Sequence, residues 1–283
     1  DVDPVTLNID LAAAEAAVGP RTRAIMPVHF AGLPIDQTAL RDLADRHGLV
    51  VVEDAAHAIP SRTPHGHVGN GVNEAAVFSF YATKTITTGE GGMVTVQHPD
   101  FASRIRTMRL HGISRDVFDR YQSRKPSWRY EVVAPGFKYN LPDPAAAIGR
   151  VQLSRAAAMG DARSTIAARY DDAFSDLPLD LPAHAPTGTP HVWPLYVIRL
   201  RNEARLSRDT FIEQMASKGI GTSVHFIPLH LHPYWRDRYQ LRPADLPVAH
   251  KMFDRAVSLP IFSSMTAAEV ERVVDATREV LAE

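Results

Sequence analysis

A strand, a helix and a second strand follow one another in residues 24–52, and this order constrains the fold more than any other sequence feature. Residues 24–30 are apolar, and residues 36–47 carry apolar positions at helical spacing. The next run, residues 49–52, is mostly β-branched and typical of strands buried on both faces. The order predicts a parallel sheet with right-handed crossovers. Sheets of this kind bind ligands beyond the carboxyl ends of their strands.

The same patterns predict the other elements of the first part of the chain. We expect strands at 75–80 and 91–96, and helices at 10–18, 101–111 and 142–177. Residues 114–135 are polar and aromatic without a clear period, so we interpret them as a long loop.

A change of composition near residue 177 indicates a second domain. Five prolines suit an extended connection, namely Pro178, Pro182, Pro186, Pro190 and Pro194. Beyond it we expect strands at 192–200 and 220–227, a short apolar segment at 257–262, and helices at 207–218, 245–256 and 266–282. The length of 283 residues also fits about two domains. We therefore predict a large α/β domain over residues 1–176 and a smaller α+β domain over residues 177–283.

Charge and cysteine content exclude several classes of function. The 31 basic and 32 acidic residues give a net charge of −1, which does not indicate nucleic acid or an anionic membrane as a partner. The chain has no cysteine, and so no disulfide framework, thiolate metal site or cysteine nucleophile. No apolar run approaches the roughly 18 residues that span a bilayer. We expect a cytoplasmic protein.

The first chemistry-bearing segment is Val51-Val52-Glu53-Asp54-Ala55-Ala56-His57. A carboxylate at the end of a buried strand needs a partner, because desolvation disfavours its charged form. Two interpretations of Asp54 are about equal on this segment alone: it caps a following helix, or it binds a ligand.

The second such segment runs from Val77 to Gly92 and contains Ser79 and Lys84. A hydroxyl at the end of an apolar strand and a lysine five residues later would share one ligand-facing edge. Most lysines are simply solvated. A lysine in so apolar a segment is nevertheless a candidate Schiff-base amine, since desolvation lowers the pKa of an ammonium group.

Together these segments resemble the DegT/DnrJ/EryC1/StrS family of sugar aminotransferases, which have the fold-type-I architecture. The resemblance rests on EDAAHA at 53–58 and FSFYATKTITTGEGGMV at 78–94. It continues, over nearly the whole chain, through PVHFAGLPID at 27–36, MRLHGI at 108–113, PGFKYNLPDPAAAIGRVQL at 135–153, GIGTSVHFIPLH at 219–230 and SLPIFSSMT at 258–266.

The resemblance implies a role for each matching residue toward pyridoxal phosphate. Lys84 matches the lysine that binds the cofactor's aldehyde as an imine, and Asp54 matches the residue that keeps the pyridine nitrogen protonated. His57 matches a position near the cofactor ring, and Ser79 matches a phosphate contact. Asn140 matches a phosphate contact that reaches into the neighbouring subunit, which implies a two-fold dimer. The alternatives are a locally bonded His57, a plain strand-end Ser79, and an Asn140 that caps the next helix.

The histidines between residues 225 and 232 admit a second interpretation, a zinc site. We weigh it lower, because no carboxylate lies nearby at ligand spacing. The resemblance instead implies a segment near the substrate entrance, without a role for His225, His230 or His232. We expect His65 and His67, in the segment HGHVG, to be exposed.

The resemblance implies an aminotransferase that uses an amino acid, glutamate, to convert the keto group of a nucleotide-linked deoxysugar into an amine, in amino-sugar biosynthesis. One alternative is a keto-sugar dehydratase of the same fold, in which histidine replaces the lysine; Lys84 argues against it. Another is a truncated, non-catalytic member, since the resemblance implies roughly a hundred residues before Asp1 with further cofactor contacts. The sequence does not specify the nucleotide, the sugar carbon or the pathway.

Overall fold

The computed structural model describes residues 1–114, 130–186 and 189–282. Most of the loop expected at 114–135 therefore lies outside the described residues.

The first sheet has four strands in the order β1-β2-β5-β6. These strands are β1 (Ala24–Ile25), β2 (Val50–Asp54), β5 (Ala75–Ser79) and β6 (Gly92–Val96), and a small antiparallel pair, β3 (Arg62–Thr63) and β4 (Gly66–His67), lies between them in sequence. β1, β2 and β5 run parallel, and β6 pairs antiparallel with β5. The predicted mainly parallel sheet is thus confirmed.

The first crossover helix has the ends that its sequence predicts. Helix α2 (Gln37–His47) begins after Asp36, whose carboxylate accepts hydrogen bonds from the backbone N–H groups of Thr38 and Ala39. It ends at Gly48, which has a left-handed φ of 61°, a conformation that glycine adopts without steric cost. Leu40 and Leu43 on its buried face pack against the sheet.

One face of the sheet is buried and the other is open. In β2 the side chains of Val51 and Glu53 are buried, whereas Val50 on the opposite face is 40% exposed. In β5, Ala76 and Phe78 are buried, and Val77 is 40% exposed. Because side chains alternate along a strand, Asp54 and Ser79 lie on the open face. This alternation separates the packed core from the side chains expected to meet a ligand.

The remaining helices follow chain order. They are α1 (Leu11–Ala16), α3 (Pro99–Met108), α4 (Asp143–Ser154), α5 (Ala156–Phe174), α6 (Arg208–Ser217), α7 (Pro233–Tyr239), α8 (Pro247–Phe253) and α9 (Ala267–Ala282). No helix among the residues that the structure describes is long and apolar enough to cross a membrane.

The second sheet has its own core. Its antiparallel strands are β7 (Leu179–Asp180), β8 (Tyr196–Leu200) and β9 (Ala256–Leu259), in that order. All five residues of β8 are buried, and residues from α5, α6 and α9 pack around them. The second half of α5, including Tyr170 and Phe174, thus belongs to this core. The division at residues 176 and 177 stays a prediction.

Two predicted elements are wrong. The region 142–177, expected as one helix, is two helices that meet at Arg155, where φ is −101° and ψ is −4°. Residues 220–227 do not form a strand. Only Ser223 pairs with Ser258, after which the chain leaves the second sheet. An apolar run alone does not show that its backbone has a strand to pair with.

Candidate active site

Asp54 ends β2 at the carboxyl edge of the first sheet. No helix follows it, so the helix-capping interpretation is wrong; one carboxylate oxygen instead accepts a hydrogen bond from the Ala56 N–H at 3.0 Å. Its neighbour Glu53 points to the buried face, where His29 Nε2 donates to it at 3.0 Å. Asp54 therefore stays available on the open face.

Lys84 lies in a tight turn beyond β5. Its backbone N–H donates to the Tyr81 carbonyl at 3.0 Å, and the Phe80 carbonyl accepts from the Thr88 N–H at 2.9 Å. The next residues, Thr85 and Ile86, are buried and anchor the turn. Burial lowers the pKa of the Lys84 amine, whereas the nearby Asp54 carboxylate acts in the opposite direction. The fold thus brings an amine with a lowered pKa close to a carboxylate.

Two histidines lie beside Lys84. The ring of His57, in the turn after β2, contacts the ring of His225, which lies two residues after the Ser223 that pairs with the second sheet. The ring centroids are 4.8 Å apart. Burial, the Lys84 charge and His225 lower the pKa of His57 to about 3. Burial and then the Lys84 charge lower the pKa of His225 to about 4. Both imidazoles are therefore neutral at pH 7.

Ser79 lies on the same open face as Asp54, one strand away. The register pairs Asp54 with Val77, so Ser79 is two residues further along β5. The Ser79 hydroxyl accepts a hydrogen bond from the Tyr81 N–H at 3.3 Å. Asp54, Ser79, Lys84 and His57 thus gather at one edge of the sheet.

Asn140 is held at a different place. Its side-chain oxygen accepts a hydrogen bond from Lys138 Nζ, and the following helix has Pro142 as its N-cap without a side-chain bond. The interpretation of Asn140 as a helix cap is therefore wrong. The described contacts do not join Asn140 to Lys84 within one chain, and its cofactor role stays a prediction.

The other histidines are separate from this cluster. His65 and His67 are exposed, as expected. His230 is buried and its ring contacts His250, with centroids 6.5 Å apart. Within residues 1–114, 130–186 and 189–282, no three histidine, aspartate or glutamate side chains are grouped so that they could hold a metal ion.

Sequence reasoning missed the positions of two residues. His225 had no assigned role, because nothing in the local sequence indicates that it meets His57, which is far away in the chain. The bond from His29 to Glu53 was also missed, although a carboxylate at the end of a buried run signals that a donor must lie nearby.

Known proteins resemble this chain in sequence. The profile of the DegT/DnrJ/EryC1/StrS aminotransferase family matches residues 1–278. The spore coat polysaccharide biosynthesis protein SpsC of Bacillus subtilis is 42% identical over 283 residues, covering 99% of this chain and 72% of SpsC.

Solved structures resemble the whole chain. DesV from S. venezuelae, in complex with a ketimine intermediate, is 35% identical with a TM-score of 0.87, covering 100% of this chain and 71% of DesV. The sugar aminotransferase CalS13 from Micromonospora echinospora is 29% identical with a TM-score of 0.85, covering 99% of this chain and 73% of CalS13. Another matched structure is the pyridoxal phosphate (PLP) form of the sugar aminotransferase Spr1654 from Streptococcus pneumoniae. These matches confirm the fold-type-I architecture, the aminotransferase class and the pyridoxal phosphate cofactor.

The residues of the cluster fit that cofactor. It needs an amine for its aldehyde and a carboxylate for its ring nitrogen, and Lys84 and Asp54 supply this pair. Nδ1 of His57 is buried and has no hydrogen-bond partner among the described residues, so it can meet a polar group of a bound molecule.

Proposed function

The chain belongs to the DegT/DnrJ/EryC1/StrS aminotransferase family, and from this we propose that it transfers an amino group from glutamate to the keto group of a nucleotide-linked deoxysugar. The reaction would serve amino-sugar biosynthesis in the cytoplasm, the compartment expected of a chain without cysteine. Neither nucleic acid nor a membrane is part of the proposal.

One observation carries the proposal: Asp54 at the end of β2 and Lys84 in the turn after β5 lie close together although they are distant in the chain. Lys84 is partly buried in a segment in which Phe80 and Ile86 are buried, and Asp54 is close enough for its charge to act on the Lys84 amine. A solvated surface lysine would have no such surroundings. The pair supports amine chemistry at this edge of the sheet.

Each residue has a distinct task in the proposed reaction. When bound, pyridoxal phosphate supplies an electron sink for the electrons of the broken bond at the donor's α-carbon. Asp54 would hold the proton on the pyridine nitrogen, and Lys84 Nζ would carry a proton to and from the α-carbon. Ser79 and Asn140 would bind the phosphate, and His57 would contact the ring.

The lowered pKa of Lys84 suits its task. An amine can attack an aldehyde or accept a proton only in its neutral form. Burial increases the neutral fraction of Lys84, while the nearby Asp54 limits this effect. Two neutral histidines beside the amine add no charge that would repel a protonated Lys84.

We further propose that the working unit is a homodimer in which Asn140 reaches the partner's site. The rings of Phe137 and Tyr139 stack with centroids 4.8 Å apart and are 49% and 73% exposed. On the adjoining helix α4, Ile148 and Val151 are 51% and 60% exposed. A second copy would bury this apolar surface, and Asn140 lies directly beside it.

The descriptions of two relatives support the proposed substrate class. SpsC is described as a protein of polysaccharide biosynthesis, and CalS13 as a sugar aminotransferase. These descriptions concern those proteins, and they support a sugar rather than an α-keto acid as the acceptor here.

The test is amine transfer from ¹⁵N-glutamate to a panel of nucleoside-diphosphate 3-keto- and 4-keto-deoxysugars, followed by mass spectrometry. We expect ¹⁵N in one amino-sugar product when pyridoxal phosphate is present, and none with Lys84→Arg. Loss of a sugar hydroxyl without nitrogen gain would identify the dehydratase instead. Folded protein that binds the cofactor but transforms no sugar would contradict the proposal.

A further inference from the structure

His225 reaches the candidate site from the second sheet. Ser223 exchanges two backbone hydrogen bonds with Ser258, at 3.1 and 2.7 Å, and this fixes the chain two residues before His225. The chain then turns away from the sheet. The His225 ring lies 4.8 Å from the His57 ring at an interplanar angle of 44°, and 6.3 Å from the Phe30 ring.

His57 needs such a neighbour. Its turn is fixed by the backbone, since the Ala58 N–H donates to the Ala55 carbonyl at 2.9 Å. The ring itself is less constrained, because its buried Nδ1 has no partner among the described residues. His29 differs, since its Nε2 donates to Glu53 and its Nδ1 accepts from the Ile35 N–H. Ring packing is therefore the contact that can orient His57.

Charge favours this packing. Burial and then the charge of Lys84 lower the pKa of both rings, and His225 also lowers the pKa of His57. Burial lowers the pKa of Lys84, and the Asp54 carboxylate opposes this shift. A protonated ring would be repelled by Lys84 and would lose its hydration on burial. Two neutral rings at this distance attract each other as an aromatic pair.

We propose that His225, which extends from the second sheet, is a positioning residue whose ring holds the His57 ring in place beside Lys84. The proposal rests on the proposed assignment of Lys84 and His57 to the cofactor site. It makes the second sheet part of the site's construction, because Ser223 and Ser258 set where His225 lies.

The test compares three substitutions at His225 with a matched control. His225→Phe keeps a planar ring, whereas His225→Ala and His225→Gln remove it. The control is His98→Ala, because His98 is exposed and its ring also contacts an aromatic residue, Phe101, at 6.0 Å. Circular dichroism identifies the folded variants, and His225→Gln replaces His225→Ala if the latter does not fold.

The first readout is an NMR titration of His57 in the cofactor-free protein with isotope-labelled histidine. Without the neighbouring ring, His57 gains solvent, so its measured pKa should rise by about one unit or more in His225→Ala and His225→Gln. His225→Phe and His98→Ala should leave it near the wild-type value. This titration needs neither cofactor nor sugar, so its outcome is independent of the substrate proposal.

The second readout is cofactor affinity and turnover. The Kd for pyridoxal phosphate should rise about tenfold and kcat should fall in His225→Ala and His225→Gln, with KM for the donor little changed, and His225→Phe should restore both. An unchanged His57 titration in a folded ring-less variant would overturn the proposal. So would a His225→Phe variant as defective as His225→Gln.

Discussion

Glu53 and Asp54 are neighbours at the end of β2, yet they face opposite sides of the sheet and meet different partners. Glu53 is 2% exposed and accepts a hydrogen bond from His29 Nε2 at 3.0 Å. Because His29 Nδ1 accepts from the Ile35 N–H, Nε2 carries the proton of a neutral ring. Asp54 lies on the open face, where its charge opposes the lowering of the Lys84 pKa by burial. One strand end thus presents a carboxylate to the core and another to the candidate active site.

Replacing Asp54 with asparagine should damage turnover more than cofactor binding. An amide cannot hold a proton on the pyridine nitrogen, so we expect kcat to fall by about 10²–10³ while the cofactor Kd changes far less. Turnover kinetics and a cofactor titration measure the two effects. Asp42→Asn, on the exposed face of α2, is the control. An equal loss of binding and turnover would contradict the role proposed for Asp54.

Replacing Glu53 should instead lower stability. In Glu53→Ala, the buried donors of His29 and Gln37 lose their acceptor, and we expect the free energy of unfolding to fall by about 3 kcal/mol. Glu53→Gln keeps an acceptor oxygen and should lose less. Urea unfolding measures both, with the exposed Glu203→Ala as the control. A Glu53→Ala variant as stable as the wild type would show that the buried bonds contribute nothing.

Acid should destabilise the protein between about pH 6.5 and pH 4. Burial, as the largest cause, lowers the pKa of His57 to about 3 and those of His191 and His225 to about 4. The unfolded chain binds protons on these rings near pH 6.5, whereas the folded chain does not, so lowering the pH favours unfolding. Their contribution is fully present above pH 6.5 and is lost toward the folded-state pKa values.

The melting temperature at pH 7.5 and pH 5 checks this dependence. Each histidine should contribute on the order of 1 kcal/mol to the difference in the free energy of unfolding between the two pH values. His225→Phe cannot take up a proton, so its melting temperature should depend less on pH than that of the wild type. The His98→Ala control should retain the full dependence. A wild-type melting temperature that is constant or rises on acidification would be incompatible with buried neutral histidines.

The shared site should reveal itself by complementation. Lys84→Ala and Asn140→Ala should each lose activity, and mixing them under conditions that exchange subunits should restore part of it. Half of randomly assorted dimers are mixed, and each mixed dimer has one intact site of two, so about a quarter of the wild-type activity should return. Subunit exchange is verified by native mass spectrometry. No recovery despite exchange would mean that Asn140 acts within its own subunit.

The sequence predicted those features that local rules determine. The first crossover was predictable because Asp36 and Gly48 mark the ends of α2 and the strands on either side are apolar. That Asp54 and Lys84 lie close together was implied by the resemblance of their two segments to a cofactor-binding pattern, and the structure places the two side chains near each other. The contact between His57 and His225 was not predictable, because it depends on how the second sheet packs near the first. The strand expected at 220–227 does not form for a similar reason, since strand pairing depends on distant residues such as Ser258.

Borohydride reduction of the purified protein with pyridoxal phosphate, followed by peptide mass analysis, tests most directly whether Lys84 binds the cofactor. Reduction converts a lysine-bound cofactor into a stable secondary amine. We expect loss of the visible absorbance and a cofactor adduct on Lys84, and no adduct in Lys84→Arg. A folded protein without an adduct, or with its adduct on Lys125, Lys138, Lys218 or Lys251 instead, would contradict this assignment.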